Sequence, residues 1–371
     1  MANLMGRAIV AVMLGLALLA PVQAQVLIDL AGREVQVPER VERIVLGEGR
    51  LLPVLAILEG EQLLERLVGM PADLALVDPG SARQYQQAFP ELAKVPRIGQ
   101  GAADTFSLEQ VLTLRPDLAI FSLSGHGPDS TQGRLIEQLQ RAGVAVLFVD
   151  FREQPLLNTP RSMALLGQAL GREARAAAFN AAHAEALAAV RERLPQGAAP
   201  KVFLHSRAGL GEGCCESMAR GMFADLLAEA GGDNIARERL PGHAGTLSLE
   251  LLLSQPPELY IASAVGSADS LAEDAPYIAL GPGVTADAAQ ASFRHLLGRG
   301  VLQHLGAVRE GRAHAIWHGF YNSPFNVVAV QVFAKWLYPE AFVDLDPQRA
   351  LEHFYREFQP VTLDGQYWIS L

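Results

Sequence analysis

The sequence predicts an α/β protein of two related lobes, one on each side of a long helical stretch. Three observations carry this. Short apolar runs with β propensity alternate with helical runs along most of the chain, the pattern of a mainly parallel sheet covered on both faces. One short phrase occurs twice at the same internal spacing. Between the two copies, residues 159–194 read as helix with little interruption. The 371 residues are 50% hydrophobic and 19% charged, a composition suited to packed cores, and the length allows two domains.

The repeated phrase is the most specific signal. Ser107-Leu108-Glu109 is followed six residues later by Pro116-Asp117-Leu118-Ala119-Ile120, and Ser248-Leu249-Glu250 six residues later by Pro257-Glu258-Leu259-Tyr260-Ile261. Each copy reads as a short helix with an acid in its first turn, where the helix dipole favours negative charge. Proline then stops the helix and an apolar strand begins. Two copies imply two lobes of related architecture, each presenting one glutamate.

The remaining elements follow in order. Val26 to Val37 alternates and breaks at Gly32, as a hairpin-like entry would. Arg43-Ile44-Val45-Leu46 is a buried strand ending at Gly47-Glu48-Gly49-Arg50, before a helical run from Leu51 to Leu58. Leu67 to Met70, Leu118 to Phe121 and Val144 to Val149 are further strands, with a helix from Leu135 to Ala142 before the last. Gly171 divides the long helical stretch and leaves an alanine-rich segment of high propensity after it. Val202 to His205, Leu259 to Ala264 and Ala313 to Trp317 are strands of the second half. Phe223 to Ala230, Asn326 to Leu337 and Pro347 to Phe358 are helices, and Tyr367-Trp368-Ile369 is an extended end.

Arg7 precedes an apolar run from Ala8 to Ala20, then Pro21 and the small-residue site Val22-Gln23-Ala24. The run is about 13 residues, too short for a bilayer that needs roughly 20, and reads as a secretory signal cleaved after Ala24. Residue 25 is Gln, so no lipid attachment is expected, and the mature chain is expected in a periplasm. The formal charge of −10 argues against nucleic acid and anionic membrane surfaces as partners. Cys214 and Cys215 are adjacent in a glycine-rich loop. An oxidising compartment allows a vicinal disulfide, although the usual span between bridged Cα atoms is larger; two partly buried thiols are the other reading.

Asp29-x-x-Gly32-Arg33-x-Val35-x-Val37-Pro38, Leu114-x-Pro116-Asp117-Leu118-Ala119-Ile120 and Gly231-Gly232-Asp233-Asn234-Ile235 with Ser248-Leu249-Glu250 occur in the order and spacing of a known family. Over roughly Val26 to Phe358 the chain resembles the class III periplasmic substrate-binding proteins of ABC importers, the group serving ferric siderophores, haem and cobalamin. The resemblance implies two Rossmann-like lobes joined by a single long α-helix, with the ligand cleft between the lobes. The expected divisions are a signal peptide over 1–24, an N-terminal lobe over 25–170, a linking helix over 171–195, and a C-terminal lobe with an extension over 196–371. The resemblance gives Glu109 and Glu250 a role, docking onto arginine pockets of an inner-membrane permease dimer that works with a cytoplasmic ATPase. Carboxylate–guanidinium pairs are oriented and bidentate, which suits such a contact. The binding protein is expected to be a monomer without a cofactor.

Ligands of open α/β sheets sit at the carboxyl ends of the strands. The candidates there are Glu48, Arg50, Ser124 and His126 in the first lobe. In the second they are Ser206, Arg207, His318, Tyr321, Asn322 and Ser323. Arg50 and Arg207 suit an anionic ligand. No direct protein coordination of a metal is expected, except that His318 and Tyr321 suit the iron of a haem. The resemblance implies an iron chelate of the ferric siderophore type. A molybdate- or tungstate-type oxyanion, haem and cobalamin are the alternatives. A periplasmic ligand sensor shares this binding chemistry. An exported hydrolase finds little support: no His pair has zinc-protease spacing, and Ser122-Leu123-Ser124-Gly125-His126 lacks the first glycine of a nucleophile elbow.

Overall fold

The computed structural model describes residues 24–211, 214–271 and 275–371. The expected signal segment, apart from Ala24, lies outside the described residues. The chain opens with an antiparallel hairpin, β1 (Ala24–Ile28) and β2 (Glu34–Pro38). The first sheet contains β3 (Ile44–Leu46), β4 (Leu67–Gly69), β5 (Leu118–Ser122) and β6 (Ala145–Val149), all parallel and ordered β4-β3-β5-β6.

The second sheet begins with β7 (Lys201–His205), β8 (Glu216–Met218), β9 (Asp233–Asn234) and β10 (Ala244–Thr246). It continues with β11 (Leu259–Ala264), β12 (Ala313–Trp317) and β13 (Trp368–Ser370). Its parallel part runs β9-β7-β11-β12. This repeats the first sheet strand for strand, so the third strand of each lobe is the one that follows a Ser-Leu-Glu helix. The duplication seen in the sequence is therefore one of topology. β8, β10 and β13 are antiparallel additions found only in the second sheet.

Side chains alternate across each strand, and here the two faces enter different cores. Leu118 and Ile120 of β5 and Leu259 and Ile261 of β11 belong to one common core. Ala119 and Phe121 face a core private to the first lobe, and Tyr260 and Ala262 one private to the second. The common layer between the sheets is thus continuous, which restricts how far the lobes can move apart.

The long helical stretch is a hairpin of two helices, Pro155–Leu170 and Glu173–Arg191. Gly171 turns the chain with φ 64°. A side chain at Gly167 would lie 2.6 Å from the Ala176 Cβ, so the helices approach closely there. The second of them lies within the span 171–195. It buries Ala176, Phe179, His183, Leu187 and Val190, at spacings of three and four residues. Phe179 meets Phe325, Phe354 and Phe358 at ring-centroid distances of 6.2, 5.5 and 5.3 Å, which ties this helix to helices Asn326–Leu337 and Pro347–Phe358.

After Phe358 the tail does not stay with the second lobe. Gln359 accepts a hydrogen bond from Tyr85 at 2.5 Å and donates to the Pro53 carbonyl at 3.0 Å, both in the first lobe. Only then does the chain return to pair β13 with β12. Among the described residues no helix is long and apolar enough to cross a membrane.

Candidate ligand-binding cleft

The turn after β3 is fixed by close packing. A Cβ at Gly47 would stand 2.6 Å from the Phe121 ring, and one at Gly49 2.7 Å from Leu74, so glycine alone fits both places. The Asp73 carboxylate accepts the Gly49 N–H at 2.9 Å. This turn leaves Arg50 facing the gap between the lobes, where its Nη1 donates to the Tyr321 hydroxyl at 2.7 Å.

Behind β6 a second turn is organised by one carboxylate. Buried Asp150 accepts the backbone N–H groups of Arg152, Glu153 and Gln154 and the side-chain amide of Asn158. It holds Arg152 with its guanidinium 5.7 Å from the centre of the Tyr321 ring, a cation–π distance. The Arg152 Nε is buried without a hydrogen-bond partner.

From the second lobe comes Arg207, which lies just beyond β7 in the left-handed region at φ 46°. A non-glycine residue there costs about 1–2 kcal/mol. The hydroxyl of Ser263 holds the conformation by accepting the Arg207 N–H at 2.8 Å, and the same oxygen contacts His318 Nδ1 at 3.0 Å. The Arg207 guanidinium pairs with Glu216 at 2.5 Å. Met222, also beside the cleft, has φ 46° as well, and such strain concentrates at ligand sites.

These groups surround an inter-lobe cavity of about 590 Å³. Arg50, His126, Ser206, Arg207, His318 and Tyr321, all expected from the sequence, line it together with Arg152, Tyr277, Met218 and Met222. Its apolar rim is exposed: Leu76, Val77 and Leu210 keep 71%, 41% and 54% of their surface in water. Burial, followed by the positive charges of Arg50 and Arg207, holds the His318 pKa down to about 3. His126 is shifted in the same direction by partial loss of water and then by Arg50. The imidazoles are therefore neutral at ordinary pH and the guanidinium groups carry the charge.

Four expected residues do not line this cavity. Asn322 and Ser323 line a smaller chamber of about 60 Å³ behind it, which shares Arg50 and His318. Glu48 lies beneath, fully buried; its Oε1 accepts from Ser122 at 2.8 Å and from Asn322 at 3.1 Å, a link between the lobes, while its Oε2 has no partner. Ser124 is turned toward Glu153, to which its hydroxyl donates. Tyr277, Met218 and Met222 are among the lining's uncharged residues not expected from the sequence, and Arg152 is its one unexpected arginine. It stands at the end of β6 by the rule that found the others. Among the described residues no three His, Cys, Asp or Glu side chains are grouped to hold a metal ion. Cys214 and Cys215 are bonded to each other, in the loop that carries Arg207.

Glu109 and Glu250 stand in the first turns of helices Leu108–Leu114 and Leu249–Ser254. Ser107 and Ser248 cap these helices by accepting the N–H groups of Gln110 and Leu251 at 3.3 and 3.2 Å. Both glutamates are exposed.

Two lobes of one topology around a basic, apolar-rimmed cleft define a solute-binding architecture. Residues 64–315 match the model of the periplasmic binding protein family, and the chain belongs to that family, whose members are periplasmic solute-binding partners of ABC permeases and ATPases rather than enzymes. No curated protein matches the chain.

Among solved structures, the TroA-like periplasmic binding protein FepB of Veillonella parvula is 24% identical with a TM-score of 0.82, covering 93% of this chain and 99% of that one. The molybdate-bound MolA of Haemophilus influenzae is 15% identical with a TM-score of 0.66, over 92% and 100% of the two chains. A periplasmic heme binding protein of Pseudomonas aeruginosa is 22% identical with a TM-score of 0.51, over 81% and 94%. At these identities the likeness is one of fold.

Proposed function

We propose that this chain captures an anionic iron chelate of the ferric siderophore type in the inter-lobe cleft and delivers it to an inner-membrane permease through Glu109 and Glu250. The observation that carries the reading is the meeting of Arg50, Arg152 and Arg207, from three different strand ends, in one cavity, with Arg50 and Arg152 set against Tyr321. Of the three, Arg207 has a carboxylate partner in Glu216. Fixed guanidinium groups in a half-enclosed site suit several dispersed negative charges. The exposed rim of Leu76, Val77 and Leu210 suits the apolar body of a chelator. On this reading the chelator supplies the ligands of the metal.

The cavity of about 590 Å³ is within the range of small-molecule sites and far larger than a bare tetrahedral oxyanion needs. On this reading the hairpin helix Glu173–Arg191 and the common core permit only a small hinge motion on binding.

A thermal-shift screen with ferric catecholates and hydroxamates, haem, cobalamin and molybdate tests the proposal, because a ligand that binds only the native state raises its stability with concentration. A shift with a ferric chelate but not with its iron-free, uncharged analogue is expected. A shift with molybdate, haem or cobalamin alone would overturn the chelate assignment.

A further inference from the structure

We propose that Leu112 and Leu253 are apolar anchors of the two docking points, each set beside Glu109 or Glu250, so that the permease proposed above receives an apolar side chain as well as a carboxylate at each point. The inference rests on the docking role proposed above for the two glutamates. Aligned from their capping serines, the copies Ser107-Leu108-Glu109-Gln110-Val111-Leu112 and Ser248-Leu249-Glu250-Leu251-Leu252-Leu253 carry leucine at the same sixth place. Val111 and Leu252, the residues before these leucines, are both fully buried at 0% exposure. The two helices are therefore rotated alike against their lobes. Leu112 and Leu253 remain 36% and 56% exposed, each three residues beyond its glutamate and so beside it on the helix surface.

One exposed leucine is ordinary on a protein surface. Two at the same place of a duplicated unit, each beside an exposed carboxylate, are a paired feature. Neither glutamate joins an ion pair or a side-chain hydrogen bond within the described residues, so both charges are available to a cationic partner. An apolar side chain beside a charged group is also how compact contacts divide their work. The charge sets approach and register, and the buried apolar group slows release. Matching patches on two lobes of one chain require a partner with two matching sites, which a two-fold symmetric dimer provides.

The test uses the full-length protein and right-side-out inner-membrane vesicles from the source bacterium. A photo-crosslinking side chain replaces exposed Thr113 in one preparation and exposed Ser254 in another. Both positions are expected to label one and the same integral membrane polypeptide. Leu112→Ser with Leu253→Ser should cut labelling by about tenfold with an unchanged melting temperature. Labelling of the wild-type protein should persist in part at about 1 M salt, where exposed charge pairs are screened.

Loss of labelling in Glu109→Ala with Glu250→Ala but not in the leucine pair would overturn the anchors and keep carboxylate docking. Wild-type labelling in both pairs would overturn both. Two different polypeptides labelled from the two positions would overturn the symmetric partner.

Discussion

The guanidinium of Arg50 donates to the phenol oxygen of Tyr321 across the gap between the lobes, at 2.7 Å. The two residues are 271 positions apart in the chain, and the bond joins the turn after β3 to the loop after β12. Beneath it the amide of Asn322 reaches Glu48, so alternate residues of one turn grip consecutive residues of the opposite loop. Two polar contacts thus cross the base of the cleft, beside the apolar core that the lobes share.

Tyr321→Phe removes the acceptor and leaves the Arg50 donor unpaired. A hydrogen bond to a charged group contributes about 1.5–3 kcal/mol. Affinity for the ligand found in the thermal screen should therefore fall about tenfold or more by calorimetry. Unchanged affinity would mean that the lobes hold their spacing without this bond.

Arg152→Ala should weaken binding more than Arg207→Ala, because Arg207 already spends part of its charge on Glu216 whereas the Arg152 Nε has no partner. Titrations of both variants at low and moderate salt check the order. The Arg152 variant should also show the smaller salt dependence.

The buried histidines make the fold sensitive to acid. Burial holds His205 and His314 each at about 4, and His318 at about 3, against roughly 6.5 in an unfolded chain. The folded state binds fewer protons between those values. Its stability is therefore complete above pH about 6.5 and is lost progressively as pH falls toward about 4. For the 4%-exposed His205 the effect is on the order of a few kcal/mol. Melting temperatures between pH 8 and 4 should fall on the acid side, and less steeply in His205→Gln.

Replacing Glu109 and Glu250 together by Ala should abolish uptake into cells while leaving ligand affinity as in the wild type. Transport assays beside calorimetry separate the two. Undiminished uptake would remove these carboxylates from the contact with the permease.

Gln359→Ala should cost about 1–3 kcal/mol in denaturant unfolding, because it leaves the buried Tyr85 hydroxyl without its acceptor. Ligand affinity at low temperature should change little, since Gln359 is not among the residues that line the cleft.

Much of this architecture is legible in the sequence because it is local. Strand and helix periods place β5, β6, β7, β11 and β12 to within a residue or so, and helices Asn326–Leu337 and Pro347–Phe358 without error. Strand-end position brings out Arg50, Arg207, His318 and Tyr321. It does not say which way a side chain turns: Glu48 goes down to Ser122 while Arg50, two residues on, faces the cleft. Arg152 depends on the four hydrogen bonds received by Asp150, and an Asp-Phe-Arg triplet gives no periodic signal for them. The crossing of Gln359 to the first lobe is a contact over 274 residues, and no local pattern announces it.

That crossing has a bearing on when the molecule becomes whole. Residues 359–371 are synthesised after the rest of both lobes, and they supply both the Tyr85 contact and the outermost strand of the second sheet. Each lobe can gather its own core earlier, as domains commonly do during synthesis. The clasp between them closes only once Gln359 is free to reach Tyr85. A chain without residues 359–371 would keep most of the common core and the Arg50–Tyr321 bond but lose the Tyr85 clasp and the edge strand of the second sheet.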